Sequence, residues 1–368
     1  MEAKFMKHSI GVVTLSGLFN YGNRLQAYAS TAIYRKLGFN CSLLEIEDRP
    51  NFIRDSKAFV KKLLGRKVED PEEGMSFARR SAFVRFNDNI VIETVKDTAD
   101  LASRFSCFSV GSDQTWNPLY FAYMEDWFFL TFARPEQRIA LAPSIGLDTL
   151  EPKQARRISK GVYGFHSLSV REKRGAELIK KCSGRDAVVV CDPTLALPAE
   201  EWRAVANNSL TPREPYVFTY LLGGAGFEAT NILKKVTNGG RIPVVSLSDR
   251  QKPGEPDAGP AEFISLIDHA SHVVTDSFHA AVFSSILQTP LTIVHREGGA
   301  SMFSRLEQLS QMLGIEEKIY GSPSYDLSLA GNYDGVPEAI NRERDKFMNY
   351  LEGCLDEQLP NWREGACG

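Results

Sequence analysis

Short apolar runs rich in β-branched residues alternate with stretches of helical periodicity along most of this chain, and few architectures accept that pattern. Strands that are each followed by a helix build a parallel sheet with crossover helices on its faces. The first unit is a strand at 9–15, a Gly-containing loop at 16–22 and a helix at 23–37. On that helix Leu25, Ala29, Ala32, Ile33 and Leu37 share one face before Gly38 ends it. A strand at 41–46 follows. Further strands are predicted near 107–110, 138–142, 167–170 and 186–190, the last two flanking a helix at 172–182, and Asp192-Pro193-Thr194 closes this half.

Pro198, Pro212 and Pro215 mark a boundary, and beyond it the alternation restarts. A strand at 216–222 runs into a Gly223-Gly224-Ala225-Gly226 turn and a helix to 238, then come strands at 242–247, 272–275 and 291–294. Helices at 261–270, 277–287 and 301–313 complete the pattern. The expected fold is therefore α/β, with two Rossmann-like domains, residues 1–198 and 199–334, facing each other across a cleft, and a tail at 335–368 that begins as a helix. Residues 51–105 carry a basic stretch (Lys57, Lys61, Lys62, Arg66, Lys67) and a helix around 72–88, and they read as an insertion that leaves the first sheet, its charge solvated. Ligands of doubly wound folds bind outside the carboxyl ends of the strands, so the loops there should line the cleft.

Bulk properties narrow the chemistry. A chain of 368 residues exceeds what one core usually organises, which supports two domains. Lys plus Arg number 43 against 46 Asp plus Glu, so the net charge of −3 selects neither nucleic acid nor an anionic membrane as the main partner. Any anionic ligand must be held by local charges. Six cysteines are scattered without C-x-x-C or His-Cys spacing, which argues against a zinc site and a disulfide framework. The apolar run Ile10 to Leu15 is too short for a signal peptide or a spanning helix, and a cytoplasmic location is expected.

Residues 272–287 carry the most functional information. A buried strand running straight into a helix places Thr275, Asp276, Ser277 and His279 at the strand's carboxyl end, where free helix N–H groups and a partial positive charge favour an anion. Arg171 stands at another strand-to-helix junction. A cation there opposes the helix dipole, a mismatch that points to phosphate or carboxylate binding; Arg305 and Arg296 raise the same question. In the loop 111–118, Ser112, Asp113, Gln114 and Trp116 have the composition that grasps a sugar, with polar groups for hydroxyls and a ring for the apolar face. The alternative is that Trp116 is core and Asp113 caps a helix. The first loop is neither a P-loop nor a dinucleotide fingerprint; it either meets a ligand through Asn20 and Asn23 or is a plain turn.

The ordered set is more telling than any one motif: Asn20-Tyr21-Gly22-Asn23, Gly-Ser-Asp-Gln-Thr-Trp-Asn-Pro at 111–118, Ala-Pro-Ser-Ile-Gly at 142–146, Ser-Val-Arg-Glu at 169–172, Asp-Pro-Thr at 192–194 and Thr-Asp-Ser-Phe-His at 275–279. Together, across residues 9–313, these resemble the polysaccharide pyruvyl transferase family. One departure is the first loop, which has Asn23 where relatives usually carry a small or acidic residue after Gly. The resemblance implies a glycosyltransferase-B-like fold and transfer of a pyruvyl group from phosphoenolpyruvate, a co-substrate, to two sugar hydroxyls as a cyclic ketal, with no metal or organic cofactor. In that reading His279 is the general acid, Arg171, Ser277, Arg305 and Arg296 hold the donor, and Asp113 orients or deprotonates the acceptor. Asn20, Tyr21, Asn23, Ser112, Gln114, Trp116 and Ser144 face the acceptor, a sugar, oligosaccharide or lipid-linked saccharide of capsule or exopolysaccharide synthesis. A lipid-linked acceptor would bring the enzyme to the inner face of the membrane. A nucleotide-sugar glycosyltransferase, or a non-catalytic carbohydrate-binding protein of the same fold, is the competing reading.

Overall fold

Residues 9–140 supply five parallel strands, β1 (Ser9–Val13), β2 (Asn40–Ile46), β3 (Ile92–Val95), β4 (Cys107–Val110) and β5 (Arg138–Ala140), hydrogen-bonded in the order β3-β2-β1-β4-β5. Ile10 lies opposite Cys107 and Val13 opposite Val110 in the central pair. The computed structural model describes residues 8–17, 20–47, 74–119, 125–296 and 303–365. The basic stretch at 57–67 and the start of the helix expected at 301 lie outside these. Two short strands, β6 (Ser169–Val170) and β7 (Val188–Val189), pair among the described residues only with each other. A second parallel sheet contains β8 (Val217–Tyr220), β9 (Val244–Leu247), β10 (His272–Thr275) and β11 (Leu291–Ile293) in the order β11-β10-β8-β9.

The helices that cover the sheets are α1 (Tyr21–Lys36), α2 (Phe77–Phe86), α3 (Pro152–Val162), α4 (Lys173–Ser183), α5 (Pro193–Ala196), α6 (Phe227–Val236), α7 (Pro260–Asp268), α8 (Phe278–Leu287), α9 (Ser304–Leu313) and α10 (Val336–Gln358). Each sheet begins at an inner strand, winds one way and then reverses, the first between β1 and β4 and the second between β8 and β10. At a reversal the loops leaving adjacent strands diverge and open a crevice. The two reversals face each other, since Gly22 after β1 packs against the His279 ring after β10. These are the two Rossmann-like halves read from the sequence, in the glycosyltransferase-B-like arrangement.

Two expectations are corrected. The segment 51–105 does not wholly leave the sheet, because Ile92–Val95 forms the edge strand β3. Only Val95 of that strand is buried, so its apolar signal is weak. Strands β6 and β7 do not extend the first sheet. Ser169 Oγ instead bonds across the gap, 2.7 Å from Ala140 O and 2.9 Å from Ala142 N.

Packing joins the halves at the base of the seam. Tyr21 stacks on Phe263 with centroids 4.6 Å apart, meets Tyr220 edge-on at 5.4 Å and donates its hydroxyl to Ala258 O at 3.0 Å. Helix α2 bolts one side: the buried Arg79 donates to Ser248 O, lies 3.5 Å from Glu255 Oε2 and stands 5.1 Å over the Tyr21 ring. Gly259 is a close approach there, where an added Cβ would fall 2.6 Å from the Ala82 backbone. On the other side α10 returns to the first sheet, with Tyr350 Oη bonded to Ala140 O at 2.9 Å and Gln358 Nε2 to Arg138 O at 3.0 Å. Cys41, Cys107, Cys191 and Cys354 are buried free thiols. Among the described residues no helix is long and apolar enough to cross a membrane.

Candidate active site at the seam between the sheets

Asp192 is the centre of the site. It ends the strand-like run after β7 and is the N-cap of α5, whose first helical residue is Pro193. Its Oδ1 accepts from Thr194 N at 3.0 Å and Thr194 Oγ1 at 2.7 Å, as an N-cap carboxylate should. Its Oδ2 points the other way, into the seam. There it accepts from Arg171 Nη1 at 2.7 Å, and Ser112 Oγ lies 2.8 Å away. His279 Nε2, arriving from the opposite sheet, stops 3.8 Å from the same oxygen. Burial works against ionisation of this carboxyl. The neighbouring His279 and Arg171 outweigh it, and its pKa is held far below the usual carboxylate range.

Arg171 lies just before Glu172, the N-cap of α4. Its guanidinium is 3% exposed, ringed by Asp192, Asp113 Oδ1 at 3.6 Å and Glu172 Oε2 at 4.0 Å, and covered by the Phe278 ring at 4.5 Å. Burial would lower its pKa, but Asp192, Asp113 and Glu172 together raise it above the usual value. The dipole mismatch noted in the sequence is thus answered by carboxylates of the chain itself. Arg305, in the first turn of α9, is half-buried. Desolvation, and then the positive charge of Arg171, pull its pKa down to about 10 against Asp113 and Glu172.

Asp113 follows β4 in the left-handed region, φ 52, which Asp tolerates. Its Oδ2 accepts from Asn23 Nδ2, and its carbonyl accepts from Ser144 N at 2.7 Å. Gln26 on α1 ties the loop after β1 to the loop after β4: its Nε2 reaches Leu15 O at 2.8 Å and, within its own helix, Asn23 O at 2.9 Å, and its Oε1 accepts from Ser112 N at 3.0 Å. Ser144 Oγ, Ile145 N and Gly146 N all donate to Glu172 Oε1, at 2.9, 2.9 and 3.1 Å. Helix α8 begins at Phe278 with Ser277 as N-cap, but the Ser277 side chain makes no capping bond, which leaves the helix end without a side-chain acceptor.

The structure therefore brings together His279, Asp113, Arg171, Arg305, Ser112, Asn23 and Ser144. It separates others. Arg296 belongs to Asp276, 3.2 Å away, which also accepts from Leu222 N and Gly223 N. Asn20 caps α1 and turns its Nδ2 to Asp249 at 3.4 Å, and Gln114 accepts from Asn117 Nδ2 at 2.6 Å. Tyr21 and Trp116 are corrections. Both are 0% exposed: Tyr21 is a ring of the seam's core, and Trp116 stacks on Phe129 at 5.5 Å and donates Nε1 to Phe128 O. Neither presents a face to a sugar. Asp192 and Glu172 were missed as site residues, although both stand in motifs already singled out. Asp-Pro-Thr reads locally as any capped helix start, and only the tertiary fold delivers Arg171 to it. Among the described residues no group of His, Cys, Asp and Glu is arranged to hold a metal.

Gly22 sets where His279 can be. An added Cβ would lie 2.7 Å from the ring's Cγ and Cε1, below real contact distances. Gly22→Ala should therefore turn the imidazole aside and lower turnover by about 10²-fold, the effect of roughly 1 Å of misplacement. Steady-state assay beside a thermal melt checks this: an alanine variant with unaltered turnover would show that the ring's position is immaterial.

The sequence profile of the polysaccharide pyruvyl transferases matches residues 20–294. No curated protein sequence matches the chain. Among solved structures, the UDP complex of MnaA from S. aureus is 11% identical, with 96% of this chain and 98% of that one covered at a TM-score of 0.48. UDP-GlcNAc 2-epimerase from Neisseria meningitidis, bound to UDP-GlcNAc, is 12% identical over 92% of this chain and 100% of that one, TM-score 0.41. The glycosyltransferase SnogD from Streptomyces nogalater is 13% identical over 95% and 98%, TM-score 0.43. The profile match runs from the cap of α1 to the end of β11 and so takes in every motif that converges on Asp192; this chain belongs to the polysaccharide pyruvyl transferase family.

Proposed function

We propose that the protein transfers the pyruvyl group of phosphoenolpyruvate to two hydroxyls of a saccharide, forming a cyclic ketal and releasing inorganic phosphate. The observation that carries this reading is the meeting of His279, which follows β10, with Arg171, which follows β6, on a single buried carboxylate, Asp192. His279, as imidazolium, gives its proton to the methylene carbon, and C2 becomes oxocarbenium-like. A sugar hydroxyl adds to C2 and yields its proton to a carboxylate, for which Asp113 is placed. The C2–O bond to phosphate then breaks, phosphate departs with the bonding pair, and a second hydroxyl closes the ring with loss of its proton. Arg305 and the open N-terminus of α8 supply the anion's counter-charge. Arg171, already paired, fixes Asp192, the carboxylate that faces the imidazole, a positioning role in place of the direct phosphate grip expected of it.

Thermal melts with phosphoenolpyruvate and with nucleotide sugars test the donor. Phosphoenolpyruvate should stabilise the protein and nucleotide sugars should not. Mass spectrometry of oligosaccharides after incubation should show a pyruvate ketal and equimolar phosphate. Stabilisation by nucleotide sugars alone would replace this reading with glycosyl transfer. An acceptor carried on lipid, and with it work at the inner membrane face of the cytoplasm, belongs to the same proposal.

A further inference from the structure

The whole-chain net charge of −3 hides an uneven distribution. Residues 148–186 hold ten Lys and Arg against five Asp and Glu, so this segment is basic and the remainder of the chain is acidic. Its two helices lie side by side: α3 buries Ile158 and Val162, and α4 buries Leu178 and Ile179, in one core. Arg174 Nε at the start of α4 donates to Asp148 O, ahead of α3, at 2.6 Å, and Arg185 Nη2 beyond the end of α4 donates to His166 O, beyond the end of α3, at 2.7 Å. Gly161 presses on the Phe129 ring, where an added Cβ would fall 2.4 Å away, and this fixes which side of α3 faces out.

Opposite the buried side, Lys153, Arg156 and Lys160 follow at spacings of three and four and form one exposed stripe. Tyr163, the C-cap, keeps helical backbone angles, continues the stripe and is 84% exposed. Among the described residues none of these three cations has a carboxylate partner, unlike Arg174 and Lys180 on α4, which pair with Glu177 and Asp186 at 2.7 and 2.8 Å. Lys153 stands in the first turn besides, where the helix dipole repels a cation.

Unneutralised cations on a convex line that ends in an exposed phenol suit the surface of a bilayer. The cations meet anionic headgroups, and the ring sits at headgroup level. A long polyanion suits the line less well. The stripe runs only about 16 Å, the length of such a helix, and a duplex would extend past it onto the acidic remainder. A planar bilayer meets the stripe alone, with charges more than about 8 Å away screened. The stripe also starts beside the cleft, since Asp148, just ahead of α3, lines the cavity between the start of α4 and α9. We infer that Lys153, Arg156, Lys160 and Tyr163 dock the protein on a membrane surface that carries anionic phospholipid. That docking brings the cleft to a lipid-linked acceptor rests on the pyruvyl-transfer reading; the docking itself does not.

The full-length chain would be floated with vesicles of pure phosphatidylcholine and with vesicles of equal parts phosphatidylcholine and phosphatidylglycerol. Binding to the anionic vesicles alone is expected, and it should disappear at about 1 M salt, where the Debye length shrinks to about 3 Å. Lys153→Gln, Arg156→Gln and Lys160→Gln combined should weaken it about 100-fold, and Tyr163→Ser severalfold. Both variants should melt like wild type, because all four side chains are on the surface. No flotation, equal flotation with neutral vesicles, equal binding by either variant, or tighter binding to duplex DNA than to anionic vesicles would each overturn the docking surface. Phosphate release from phosphoenolpyruvate with a soluble saccharide separates the docking from the transfer, since none of the four residues stands in the site around Asp192. A protein that floats without releasing phosphate keeps the surface and loses the transfer; one that releases phosphate without floating keeps the transfer and loses the surface.

Discussion

His279→Ala should lose about 10²–10⁴-fold in turnover, the usual worth of a general acid, while the protein still folds. The structure explains why activity and stability separate here. Among the described residues Nε2 makes no hydrogen bond, and with the ring removed Asp192 keeps its bonds from Arg171, Ser112 and Thr194. Measuring phosphate release under donor saturation, beside a thermal melt, is the test. Turnover within tenfold of wild type would take the proton-transfer role away from this residue. Because Gly22 acts through the imidazole, Gly22→Ala should cost little more in the His279→Ala background, and additive losses would break that link.

Asp192→Asn should have the largest effect on stability, about 3–5 kcal/mol, the penalty for stranding a buried cation. Arg171 would keep only Asp113 at 3.6 Å and Glu172 at 4.0 Å, while the amide could still serve Thr194. The pH dependence follows from the depressed carboxyl. In the folded protein Asp192 stays ionised far below the point where the unfolded chain protonates, about pH 4. Its contribution is therefore whole at neutral pH and falls as acid protonates the unfolded chain, vanishing only below the folded pKa. Urea unfolding at pH 7 and pH 3 should show the gap between wild type and variant narrowing in acid. A gap that is absent at pH 7, or the same at both pH values, would mean that the ion pair does not stabilise the fold.

Much of the architecture was readable because burial imposes a period. Strands at 107–110 and 272–275 fall where the apolar runs place them, since both are buried at every position. The strand at 92–95 escaped because an edge strand with one buried residue carries almost no such signal. Trp116 shows the opposite limit. Its loop has the composition of a sugar-binding site, but composition does not say which way a ring points, and here it points into the core.

The sequence by itself determined that these loops lie at strand ends, because strand-to-helix junctions are local and each puts His279, Arg171, Asp113 or Asp192 after a strand. What those groups do to one another was decided only by the tertiary structure. Asp192 and Arg171 are 21 residues apart and flank the β6–β7 pair, and His279 comes from the start of α8 beyond β10. Whether a guanidinium grips a ligand or a neighbour depends on distances of a few ångströms between elements, and these are set by how the two sheets pack at the seam. No spacing along the chain encodes them.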